Sequence, residues 1–242
     1  MRLLLGGRLA PITSTIGFLE ASLDDAVGAF VDWERSVHEP LGISITRRVV
    51  AGGLEEVLSS LLPLTSVVRR RYLFVPTDSP WVAFFDNGHK GTDAFSVISY
   101  LAQSLGCRGM RVTAVPDTIE GEFKGARGEY GGVVWEVYGP RQTGFLNYVR
   151  SISAINDGGK WSFSQNGTPF PFEDASRYSA RSVKDRFTFE LLEGYLSELG
   201  LSPFDEKFYM PDAAGAAQLV EKRGPAPPGM MEYTLTEVGG GP

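Results

Sequence analysis

Residues 81–85, Trp-Val-Ala-Phe-Phe, constrain the fold more than any other stretch. Five consecutive apolar residues, aromatic and β-branched among them, read as a buried strand. The next twenty-odd residues fix its context. Residues 86–91 are turn-forming, and Thr92 and Asp93 suit a helix start. Phe95, Ile98, Leu101, Ala102 and Leu105 then recur at helical spacing, and Gly106 closes the helix. A second strand is expected over 110–115. The chain is therefore organised around a strand–helix–strand unit with one polar loop at its tip.

The flanking sequence extends this pattern. Residues 12–21 read as a strand, and Ser22 with Asp25 three residues later forms a capping-box signature. Leu23, Val27, Phe30 and Val31 give the next helix its apolar face, and 42–50 reads as another strand. Leu54, Val57, Leu58, Leu61 and Leu62 fit a short helix stopped by Pro63. A strand is expected over 66–75, although Arg69, Arg70 and Arg71 interrupt it. At least one of these arginines must share a face with apolar neighbours, and it either pairs with a carboxylate such as Asp86 or sits on a sheet edge where charge blocks aggregation. Strands at 133–138, 145–155 and 161–163, separated by Asn/Asp/Gly turns, read as an antiparallel meander in which Arg150 is the exception to an apolar face. Residues 173–186 read as polar and irregular. A last helix over 191–199 ends at Gly200.

The expected class is α+β: a mixed, largely antiparallel sheet with about four helices, strand–helix–strand units in the first half and a meander in the second. Residues 1–211 are expected to form one domain. From residue 212 Ala, Gly and Pro dominate, so 212–242 is expected to be a mobile tail with a short ordered piece at 230–238. A chain ending at residue 211 should then keep its melting temperature.

No catalytic constellation emerges. The loop Asp86-Asn87-Gly88-His89-Lys90-Gly91-Thr92-Asp93 is the densest polar group beside a helix start. It could bind a phosphate on helix amides and Lys90, or use His89 as a base oriented by Asp86 or Asp93. It reads at least as well as a capped, solvated turn, and the phosphate-loop pattern is absent. Spacings for a metal site or a serine-hydrolase elbow are also absent, so neither metal nor cofactor is expected. Cys107, the single cysteine, reads as a small buried thiol and makes an intrachain disulfide impossible.

The net charge of −6 disfavours nucleic acid as a partner and suits a basic protein. No window approaches a membrane span, and with one cysteine and no signal-peptide pattern the expectation is a cytoplasmic protein. In this general character residues 1–211 resemble the immunity proteins of bacterial toxin systems, which are acidic α/β or α+β proteins without catalytic motifs. The resemblance implies a cytoplasmic inhibitor that occludes the active site of a cognate toxin, its partner being a basic domain. No motif carries it, so no residue acquires a role from it. Asp24, Asp25, Asp86, His89, Lys90, Glu120, Glu122 and Trp161 are the expected contact residues. The alternative is an enzyme acting on a phosphorylated or nucleotide substrate at the 86–93 loop.

Overall fold

The apolar run at 81–85 lies inside a nine-stranded antiparallel sheet in a computed structural model that describes residues 1–119, 128–144, 146–210 and 216–239. In chain order the elements are β1 (Thr15–Leu19), α1 (Leu23–His38), β2 (Ser44–Val49), α2 (Leu54–Ser59), β3 (Leu64–Thr65), β4 (Arg71–Pro76) and β5 (Val82–Asp86). Next come α3 (Ala94–Leu105), β6 (Gly109–Val115), β7 (Gly132–Tyr138), β8 (Tyr148–Asp157), β9 (Lys160–Gly167), α4 (Phe189–Glu198), β10 (Gln218–Arg223) and β11 (Glu232–Tyr233). The large sheet runs β2-β10-β4-β5-β1-β6-β7-β8-β9, and β3 and β11 form a separate pair.

The central strands are buried on both faces, which is why they read as unbroken apolar runs. Tyr72 and Phe74 of β4, with Val82 and Phe84 of β5, point toward α1 and α3. Leu73, Val75, Ala83 and Phe85 point the other way, into a larger core with α2, α4 and the aromatic segment before β10. The sheet is therefore the middle of three layers. Sequence signals set the helix ends. The Ser22 hydroxyl accepts from the Asp25 backbone N–H, and Gly106 closes α3 in the left-handed region at φ 68°. Where α3 crosses the sheet, a Cβ on Gly17 would lie 2.6 Å from Ile98 and one on Gly109 2.7 Å from it, so only glycine allows this close approach.

The expected strand–helix–strand unit exists, but its strands are not neighbours. β1 lies between β5 and β6 and pairs antiparallel with both, so α3 links two parallel strands across it. The strand expected over 66–75 starts at Arg71, because the Arg70 and Arg71 amides donate to the Asn87 side chain.

The tail expected after residue 211 requires correction. Gln218–Arg223 is β10, an interior strand paired with β2 on one side and β4 on the other. Leu219 enters one core and Val220 the other. Strand stability comes from cross-strand and facing neighbours, here residues 44–49 and 71–74, and local Ala/Gly/Pro composition does not report on them. Beyond β10, Tyr233 pairs with Leu64 and its ring stacks on His89 at 5.3 Å. No helix among the described residues is long and apolar enough to cross a membrane.

Candidate functional site

The polar loop at 86–93 is closed by its own residues. Asp86 is 1% exposed, and its two carboxylate oxygens accept from the backbone N–H groups of Gly88 and Asp93, each at 2.8 Å. The anion position at the start of α3 is thus filled by a carboxylate of the same chain. Burial pushes Asp86 up to about 6, against the opposing pull of Arg69, 3.7 Å away, and of the two N–H donors. The pairing of one arginine of the 69–71 run with Asp86 is as expected from sequence. Thr92 does not cap the helix: its hydroxyl accepts from Asp86 N–H and donates to Ile12 C=O, leaving Asp93 at the cap position. His89 is half-buried, with Nδ1 3.2 Å from Thr65 C=O, so it does not form a pair with Asp86.

The remaining expected contact residues that the structure describes do not share a surface. Asp24 is exposed but forms a 2.6 Å ion pair with Arg47, and Asp25 accepts from the Ser22 hydroxyl. Lys90 is exposed, while Asp86 is sealed and offers nothing to a partner. Trp161 is half-buried on β9, at the opposite edge of the sheet from β2 and Arg47. Glu120 and Glu122 lie outside the described residues. Cys107 is half-buried, and its thiol is pushed up to about 11 by burial and the nearby Glu20 carboxylate, so it is protonated at neutral pH.

A different region brings chemistry together. Glu34, on the buried side of α1, has its carboxylate at ion-pair distance from Lys222 Nζ, 2.6 Å, and from His38 Nδ1, 3.0 Å, and the His38 Nδ1 hydrogen bond goes to the Glu34 backbone carbonyl at 3.0 Å. Lys222 Nζ is 3.3 Å from His38 Nε2 and 5.0 Å from the Tyr72 ring centroid. The network assigns the imidazole proton to Nδ1, facing Glu34, and makes Nε2 the acceptor for Lys222. Burial pulls the Lys222 ammonium below the ordinary lysine value, with Glu34 opposing.

This group opens on a cavity of about 320 Å³ lined by His38, Leu41, Ile43, Val68, Arg70, Lys222 and residues 225–227. Leu41 is 67% exposed, so apolar surface continues beyond the cavity mouth. Convergent polar groups at the base of an apolar pocket are what a binding site requires. A larger and more open depression of about 600 Å³, between residues 1–3 and 204–207, has no comparable buried charge.

Arg70 and Lys222 line the pocket, and other cations lie along the same strands. β2 contributes Arg47 and Arg48, β10 contributes Lys222 and Arg223, and the run before and into β4 contributes Arg69, Arg70 and Arg71. Glu221 is shared by Arg48, Arg71 and Arg223 at 3.2–3.5 Å, while Asp24, Glu34 and Asp86 hold Arg47, Lys222 and Arg69. Arg70 alone of these seven has no carboxylate within 4 Å among the described residues. Its guanidinium instead donates to the carbonyls of Lys222, Gly224 and Pro225. Sequence reasoning missed this site because half of it lies in the expected tail. The available signal was the basic pair Lys222-Arg223 close after the apolar Leu219-Val220, a basic pair like Arg47-Arg48 and Arg70-Arg71.

No group of three or more metal-ligating side chains is placed to hold an ion among the described residues. Comparison with protein-family models, curated proteins and solved structures gives no match to this chain.

Proposed function

We propose that this chain is a binding protein of the immunity type, holding a partner protein at the end of the sheet formed by β2, β10 and β4. The observation that carries the reading is the apolar lining of Leu41, Ile43, Val68 and residues 225–227 around a charged pocket, with Leu41 67% exposed. Apolar surface rimmed by polar groups marks sites of protein interaction. Arg70, which has no carboxylate partner among the described residues, and Lys222 favour an apolar partner surface bearing an acidic group, rather than the basic domain expected from the net charge of −6. Inhibition results if that partner surface includes its active site.

Affinity capture with the tagged full-length chain and with Leu41→Asp tests this reading. The wild-type chain should retain a stoichiometric protein partner and suppress its activity. Leu41→Asp should retain the fold, as judged by its melting temperature, and lose the partner. Equal capture by both proteins, or no stoichiometric partner with the wild type, would reject it.

A further inference from the structure

The pocket has more specific chemistry than an apolar patch. Arg70 carries five N–H groups and gives three hydrogen bonds, all to backbone carbonyls and one of them long at 3.5 Å. Its Nε is buried and has no hydrogen-bond partner. That nitrogen is sealed from the cavity, as Arg69 Nε and Arg111 Nε are sealed elsewhere, but one of the two N–H groups of Nη2 also lacks an acceptor, and a carboxylate is the strongest acceptor for a guanidinium. Lys222 has three donors, one of them directed at His38 Nε2, and it is ion-paired with Glu34. Glu34 carries one negative charge against the two positive charges of Arg70 and Lys222, leaving the pocket one charge short of neutrality. The depression on the other side of Arg70 holds Glu221 and Glu232. Glu221 already serves three arginines, and neither acid is within ion-pair distance of Arg70.

The walls supply the second requirement. Leu41, Ile43 and Val68 face Ala226 and Pro227 across a cavity of about 320 Å³, at the small end of ligand sites. Such a space suits one apolar side chain with an anionic group beside it. A small free acid would fill the cavity and leave much of Leu41, 67% exposed, uncovered. A polypeptide entering past Leu41 covers it.

Resting on the binding reading above, we propose that the pocket holds the C-terminal residue of the partner chain, with its carboxylate on Arg70 and Lys222 and its apolar side chain against Leu41, Ile43 and Val68. Terminal-carboxylate capture is an established mode of peptide recognition and depends on a free terminus.

The test uses the full-length chain and fluorescein-labelled Gly-Gly-Ser-Val-Leu, prepared with a free C-terminal carboxylate and as the C-terminal amide. Fluorescence polarisation should show saturable binding of the acid. The amide should bind about tenfold or more weakly, as loss of charge-assisted hydrogen bonds dictates. Val68→Asp, which leaves both cations in place, should abolish binding of the acid. Arg70→Lys should weaken it while keeping the charge, and the urea midpoint of each variant confirms its fold. Equal binding of acid and amide would overturn the proposal, as would equally tight competition by free 4-methylpentanoate, which would make the ligand a small acid. Equally tight competition by an oligonucleotide would reject a peptide terminus in favour of a polyanion. No binding of the acid at millimolar concentration would also overturn it. The broader binding reading would survive that result if Leu41→Asp still loses the captured partner.

Discussion

The two ends of the large sheet each bury a cationic side chain, and they treat it in opposite ways. At the β9 end Arg150 and Glu173 are both 0% exposed and fully occupied. Arg150 donates to both Glu173 oxygens, to Gln165 Oε1 and to the carbonyls of Asn166 and Gly167. Glu173 also accepts from Tyr178 O–H and Phe170 N–H. At the β2 end Lys222 remains partly open to a cavity, and Arg70 keeps an unpartnered Nε. A saturated network fastens the 170–186 segment to the sheet and has no capacity left for a ligand. An unsaturated one beside a pocket has that capacity. Asp86 lies between these extremes, sealed like Glu173 but charged at a cost.

Removing residues 212–242 should have the largest effect. It takes β10 from between β2 and β4, exposing two strand edges and both cores. No cooperative thermal transition should remain by circular dichroism, whereas the tail expected from composition would leave the melt unchanged.

At the opposite end, Glu173→Gln leaves Arg150 buried without its counter-charge and should cost about 3–5 kcal/mol in urea unfolding. The double variant Arg150→Met/Glu173→Leu should cost less than Glu173→Gln. A double variant as unstable as Glu173→Gln would mean that the network holds the 170–186 segment by more than charge.

Asp86 gives an intermediate effect with a defined sign. Its folded value, about 6, lies above its ordinary 3.8, so the native state binds the extra proton between these limits. The stability it contributes is fully present below about pH 4 and is lost as pH rises through about 6, amounting to roughly 2–3 kcal/mol. The difference in unfolding free energy between wild type and Asp86→Asn should therefore vary across that window and level off above it. A constant difference would place the ionisation elsewhere.

Lys222→Met should cost least, about 1–2 kcal/mol, because Lys222 itself lines the cavity and His38 Nδ1 remains 3.0 Å from the Glu34 carboxylate. A cost matching that of Glu173→Gln would erase the distinction between the two ends.

Much of this fold was legible in the sequence because its signals are local. Ser22 and Asp25 set the start of α1, the spacing from Phe95 to Leu105 set α3, and Gly106 ended it. The 81–85 run declared a strand buried on both faces. Arg150 stood out as a charge on an apolar face, but Glu173 sits in a segment with no periodicity, so its partner could not be named. The candidate site was illegible for a related reason. Glu34, Arg70 and Lys222 come from three remote stretches, and they meet only because β10 inserts between β2 and β4. Conversely, the 86–93 loop looked rich in chemistry because sequence displays polar groups without showing that backbone amides already occupy them.

The insertion of β10 underlies both the sheet and the pocket, and amide hydrogen exchange in the full-length chain tests it directly. β10 is paired along both edges, so the amides of Leu219, Val220, Glu221 and Lys222 should exchange as slowly as those of β4 and β5. Exchange of residues 218–223 within seconds, while β4 and β5 stay protected, would contradict an interior strand and remove the pocket with it.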